Sequence, residues 1–178
     1  MMKIESESLE QQAVMAAAAS VCAAARTAPK TKGVDFIHTC VLTGGEKDAL
    51  ADEMERLAPI LGYPFFTRDA GNVRSSHAVV LIGTTYQQRG LNEGCGYCNR
   101  KNCTECAQDG SVCAYDNIDL GIAVGSAVSA AADARIDSRV MFSAGRAALS
   151  LGIMGGDVRV ILAIPLSAKG KSPYFDRK

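Results

Sequence analysis

Five of the chain's seven cysteines crowd into one stretch: Cys95-Gly96-Tyr97-Cys98, four residues, Cys103-Thr104-Glu105-Cys106, six residues, Cys113. Thiolates are soft ligands that stabilise iron and zinc, and a short glycine-tolerant loop lets several converge while backbone N–H groups face the sulfurs. Zinc ribbons and knuckles usually set two Cys-x-x-Cys pairs roughly fifteen to twenty residues apart on separate turns. Here the gap between pairs is four residues, so the spacing favours an iron–sulfur cluster, most simply [4Fe-4S], over a zinc-stabilised interaction module. Four ligands are needed and five cysteines are offered. Cys95, Cys98 and Cys103 form the firmer set; Cys113 is preferred as the fourth because it immediately precedes a long helix whose unpaired N–H groups favour an anionic group. Cys106 is the alternative.

The elements that position this loop follow from hydrophobic patterning. Glu5 to Arg26 is rich in Ala, Glu, Gln and Met and predicts a helix that Pro29 ends. Val34 to Leu42 carries the β-branched and aromatic mix of a mostly buried strand, with Thr43-Gly44-Gly45 as its turn. Glu46 to Leu61 is amphipathic, with Leu50, Met54, Leu57 and Leu61 at helical spacing and Gly62 as the stop. His77 to Gly83 is a continuous apolar run, the signature of a central strand covered on both faces. The cysteine loop, residues 92–115, leads into a helix over Asp116 to Ile136 whose Gly121, Ala123, Gly125, Ser126 and Ala127 permit close packing. A helix over Ser143 to Ile153 and a buried strand over Val158 to Leu166 follow. Ser167 to Lys178 reads as a basic, turn-like tail. No internal repeat or low-complexity linker divides residues 1–178, so a single α+β domain is expected.

The remaining chemistry is sparse. Cys22 and Cys40 fall in a predicted helix and strand and read as core thiols; His38 and His77 fall in strand patterns and read as core or edge residues. Asp133, Arg135, Asp137 and Arg139 alternate near a helix end as a charged face or subunit contact. No dinucleotide fingerprint, P-loop, nucleophile elbow or zinc-protease helix is present. The chain has 178 residues, 48% of them apolar, and its 19 basic residues balance its 19 acidic ones. Nothing in that balance draws it to nucleic acid or an anionic membrane. Met1 to Glu10 lacks the basic and apolar regions of a secretory signal, and Ala13 to Ala25 is too short to span a bilayer, so a cytoplasmic location is expected. In that reducing compartment an odd number of cysteines is not expected to pair.

Beyond these readings, Ala25-Arg26-Thr27-Ala28-Pro29-Lys30 with Lys32-Gly33-Val34-Asp35, the cysteine run, Ile118-Asp119-Leu120-Gly121-Ile122-Ala123-Val124-Gly125-Ser126-Ala127, and Ile164-Pro165-Leu166-Ser167-Ala168-Lys169-Gly170-Lys171 together resemble the uncharacterised ferredoxin-domain proteins of bacteria and archaea. That resemblance implies a [4Fe-4S] loop onto which Cys95, Cys98, Cys103 and Cys113 fall; Cys106 departs from the family's pattern. More distantly, the order of elements around the Ala28-Pro29 turn resembles flavin-dependent nitroreductases. This implies a three-layer α+β fold with a central mixed sheet flanked by helices, a homodimer, and FMN at the subunit interface, with Arg26, Thr27, Lys30, Lys32, Lys169 and Lys171 at the positions that hold it. The implied partner is a redox protein or a small-molecule electron acceptor. A cluster beside a flavin is chemically coherent, because flavins exchange one or two electrons and a cluster one at a time.

Overall fold

The computed structural model describes residues 3–175. Helix α1, Ser6–Thr27, buries Val14, Ala17, Ala18, Val21 and Ala25, the three-and-four spacing that puts one stripe against a core. A 3-10 turn, Thr31–Gly33, leads to strand β1, Ile37–Leu42. Helices α2, Gly44–Leu61, and α3, Phe65–Ser75, come next, separated by Gly62 in the left-handed conformation at φ 69°. Strand β2, Ala78–Thr85, enters the cysteine loop, which contains the short helix α4, Cys103–Gln108. Helix α5, Ala114–Asp133, the two-residue strand β3, Asp137–Ser138, helix α6, Phe142–Ser150, and strand β4, Val158–Ser167, complete the order.

The strands form one sheet in the order β1-β2-β4-β3. The expected central strand is indeed interior: β2 lies between β1 and β4 and is buried along nearly its whole length. Alternation along it feeds two cores. Val79 and Leu81 pack with Leu50, Met54, Phe66, Val73, Ala144 and Ala148 from α2, α3 and α6. Val80 and Ile82 pack on the opposite face with Val14, Val21, Leu120, Ala123 and Ala127 from α1 and α5. The three-layer arrangement is therefore present.

Several expectations are corrected. The sheet is antiparallel in every pairing among the described residues, not mixed. For β1 and β2 the reason is α3: a single helix between them would return the chain in parallel, whereas the α2–α3 pair reverses it once more. Strand β1 is an edge: only Ile37 and Leu42 are fully buried, His38 is exposed, and Cys40 and Val41 are partly buried against the two cores. Gly44 and Gly45 open α2 and are not a turn before it.

The small residues of α5 do allow close packing, with the Ser126 hydroxyl donating to the Ala24 carbonyl at 2.9 Å across the helix pair. The described part of the tail is not merely solvated: Tyr174 is 1% exposed, its hydroxyl 2.8 Å from that of Ser76. Arg139, expected in a charged face, donates to the Tyr174 carbonyl at 2.9 Å and so holds this segment down. Lys178 lies outside the described residues.

Candidate metal centre

The cysteine loop leaves the sheet at Thr85 and returns at the first turn of α5. Its local structure is set by side chains that bond their own backbone. Asn102 caps α4 by accepting from the Glu105 N–H at 2.9 Å, and Glu105 reaches back to the Lys101 N–H at 2.6 Å, a variant of the reciprocal helix-start motif. The Asn102 amide also donates to Glu93 at 3.0 Å, tying α4 to the turn before Cys95. Gly96, with φ 69°, supplies the left-handed residue that lets Cys95 and Cys98 fold back on one another. Asp109 accepts from the Ser111 N–H at 2.9 Å and pairs with Arg100, closing the far side.

All five cysteines of the run line one pocket, together with Gln88, Arg89, Tyr97 and Tyr115. All seven cysteines of the chain are free thiols. Cys95, Cys98 and Cys103 are half-buried; Cys106 and Cys113 are buried. Among the described residues no three His, Cys, Asp or Glu side chains gather around a point that would hold one metal ion. The thiols instead stand around the walls of the pocket.

The donor set suits an anionic iron–sulfur group: soft thiols, a backbone N–H from Asn92 that donates to Cys103 Sγ at 3.3 Å, and Cys113 as the N-terminal flanking residue of the 20-residue α5, with no side chain capping that end. Tyr97 and Tyr115 stack at 5.5 Å between centroids and line the pocket. Cys106 differs from the other four. Its thiol donates to the Ser111 carbonyl at 3.3 Å, and burial, with the Cys98 thiol beside it, pushes its pKa up to about 11.

Behind the pocket lies a group of side chains that sequence reading did not single out for a role. Arg89 is 2% exposed at its side chain, and Asp116 and Asp119 are 0% and 1% exposed. The guanidinium donates to Asp116 Oδ1 at 2.8 Å and to Asp119 Oδ2 at 3.1 Å, and stacks on the Phe36 ring at 4.6 Å. Asp116 also accepts from the Gln87 N–H at 3.2 Å, and Asp119 from the Thr31 N–H at 3.1 Å and hydroxyl at 2.9 Å. Desolvation raises the Asp116 pKa, against the hydrogen bonds and the Arg89 charge that lower it. A signal was present: Asp116 and Asp119 fall on the stripe of α5 that buries Leu120, Ala123 and Ala127, where an acid needs a partner.

The residues expected to hold a flavin fall into two groups. Arg26 pairs with Asp35 at 3.1 Å and bonds the Ile37 carbonyl; the Thr27 hydroxyl donates to Ala23 at 3.0 Å; Lys30 Nζ donates to the Ala25 carbonyl at 2.7 Å and to that of Arg26. These three satisfy the end of α1. Lys32, at φ 58°, reaches over Gly90 beside the cysteine loop. Lys169 instead donates to the Ser75 carbonyl at 2.6 Å, at the end of β2 opposite the loop, with Lys171 two residues further on. The eight residues of β2 separate the two groups by roughly 25 Å within one chain. Cys22 and Cys40 are partly buried on the two faces of the β1 edge, consistent with packing roles.

Among solved structures, the chain resembles nitroreductase CinD from Lactococcus lactis in complex with chloramphenicol, at 13% identity and a TM-score of 0.59 over 95% of this chain and 82% of that one. A protein of Desulfovibrio desulfuricans described as a nitroreductase, in complex with FMN, matches at 14% identity and a TM-score of 0.58 over 99% and 81%. Nitroreductase A from Vibrio parahaemolyticus matches at 14% identity and a TM-score of 0.55; this chain spans 64% of its length. Identities this low establish the fold alone. In sequence, residues 109–177 match the family described as uncharacterized proteins containing a ferredoxin domain. An uncharacterized protein of Archaeoglobus fulgidus is 40% identical over 184 residues, covering 99% of this chain and 98% of that protein. The chain thus belongs to the family of uncharacterized proteins containing a ferredoxin domain, and it carries the nitroreductase fold.

Proposed function

We propose that this chain is a redox protein that holds a [4Fe-4S] cluster through Cys95, Cys98, Cys103 and Cys113 and exchanges electrons with a partner protein or a small-molecule acceptor. The observation that carries this reading is the lining of one pocket by all five cysteines of the run at the start of α5. A bound cluster would supply one-electron transfer. The protein's own groups would tune it. The Asn92 N–H bonds the Cys103 sulfur, which draws negative charge from it. The Cys106 thiol donates to the Ser111 carbonyl, whereas Cys113 flanks the uncapped start of α5, and this contrast supports Cys113 as the fourth ligand.

The test is anaerobic purification with iron, sulfide, zinc and flavin assayed on one sample beside its visible spectrum. About four irons and four sulfides per chain support the reading. Zinc without sulfide, in a colourless protein, replaces it with a zinc-stabilised interaction module.

A second reading adds FMN and an oxidoreductase activity, with the cluster as relay. It is favoured by the contact of the Thr31 turn with the wall of the cysteine pocket through Asp119, and by the FMN complex of the Desulfovibrio protein on the same fold. Because Lys169 and Lys171 lie at the far end of β2, all six flavin candidates would serve one flavin only across two chains. The outer stripe of α5, where Ile118 and Ile122 are exposed near Gly121 and Gly125, is the surface we assign to a second copy. Light scattering tests the dimer, and a flavin spectrum released on denaturation tests the cofactor; a colourless extract rules FMN out. Among the described residues no helix is long and apolar enough to cross a membrane.

A further inference from the structure

We propose that Arg89 and Asp119 are positioning residues that join the cysteine pocket to the Thr31–Gly33 turn, so that loading the pocket orders the turn. The inference rests on the cluster reading above and assigns a regulation to that site.

Arg89 precedes the first cysteine of the run by six residues, and Asp116 follows the last by three. The two are held together at 2.8 Å, so they are the two ends of the loop that the cysteines would cross-link. Before cross-linking, closing that loop is opposed by chain entropy; a ligand bound to several points of the loop removes much of that cost. Arg89 also forms one wall of the pocket, so its placement depends on what the pocket does.

From Arg89 the connection runs through a single carboxylate. Asp119 Oδ2 accepts from the guanidinium, while Oδ1 accepts both the Thr31 N–H and the Thr31 hydroxyl. Thr31 and Asp119 lie 88 residues apart in sequence. The turn needs such a hold. Lys32 sits at φ 58° and Gly33 at φ 68°, and a left-handed lysine persists only where its surroundings impose it. No side chain caps the turn at Lys30, so Asp119 supplies the tertiary bonds of its first residue. Asp119 in turn is oriented by Arg89. Loss of order in the loop would therefore release the turn, and by linkage a ligand bound at the turn would favour the loaded pocket.

The experiment compares amide hydrogen exchange at Thr31 and Gly33 in the full chain, metal-free and after anaerobic reconstitution with iron and sulfide, in the wild type, Arg89→Lys and Asp119→Asn. Lysine keeps the charge but cannot span both carboxylates; Asp119→Asn keeps the Arg89–Asp116 pair and serves if Arg89→Lys does not fold. In the wild type, loading is expected to slow exchange about tenfold or more, and in either variant carrying the same iron and sulfide to slow it less than about threefold. A purely structural role would speed exchange equally in both states and leave the ratio unchanged, which overturns the proposal. So does a loaded wild type with no slowing. Failure of the wild type to take up iron and sulfide overturns the cluster reading, and this inference with it.

Discussion

Arg89 Nη1 lies 2.8 Å from Asp116 Oδ1, and water reaches almost none of either side chain. A charge left in such a place without its partner is costly. Asp116→Ala is expected to destabilise the fold by about 3–5 kcal/mol in urea denaturation, the range for breaking a buried pair from one side. Asp52→Ala, which removes one of the two exposed partners of Arg74, is expected to leave the midpoint almost unmoved. Equal losses in the two variants would contradict the role given to burial.

The five thiols should separate into two classes. Cys113→Ser is expected to abolish retention of iron and sulfide, whereas Cys106→Ser, which replaces one donor to the Ser111 carbonyl with another, is expected to retain both together with the visible absorbance. The opposite pattern would place Cys106 in the ligand set and Cys113 outside it.

Close approach of α6 to β4 depends on one missing methyl group. A Cβ at Gly145 would stand 1.9 Å from the Ile161 carbonyl oxygen, which is backbone and cannot turn aside. Gly145→Ala should therefore force the helix off the sheet at a cost of about 1–3 kcal/mol or more. Gly71→Ala in α3 meets nothing within 4 Å and should stabilise by up to about 1 kcal/mol through helix propensity. Thermal melts of the two variants are expected to shift in opposite directions.

Acid should expose the contribution of Glu53. Hydrogen bonds from Arg56, 2.7 Å each, outweigh the burial that opposes them and hold this carboxyl at about 2, below its ordinary 4.5. A depressed folded-state value means that the stabilisation is complete above pH 4.5 and disappears as pH falls towards 2. The difference in unfolding free energy between the wild type and Glu53→Gln should be constant from about pH 6 upward and shrink below pH 4.5. A gap that widens with acid would show that the ion pair is not its source.

What the sequence determined by itself is what short spacings encode. The cysteine run, the apolar stretch of β2, and the helical patterns of α1, α2, α5 and α6 depend on neighbours within a turn or a strand, so they survive without knowledge of the fold. The α3 segment was missed because its buried Phe66, Ala70 and Val73 are interrupted by Gly71, Asn72 and Ser75, and its helicity comes from packing against α2 and α6.

Tertiary structure alone decided the rest. The antiparallel pairing of β1 with β2 followed from that missed helix. The bond of the Cys106 thiol to the Ser111 carbonyl is visible only in the fold, whereas the preference for Cys113 as fourth ligand already followed from its place just before the long helix. The link from Arg89 through Asp119 to Thr31 joins segments that no local period relates, since a buried charge chooses its partner by proximity in the folded chain rather than along it.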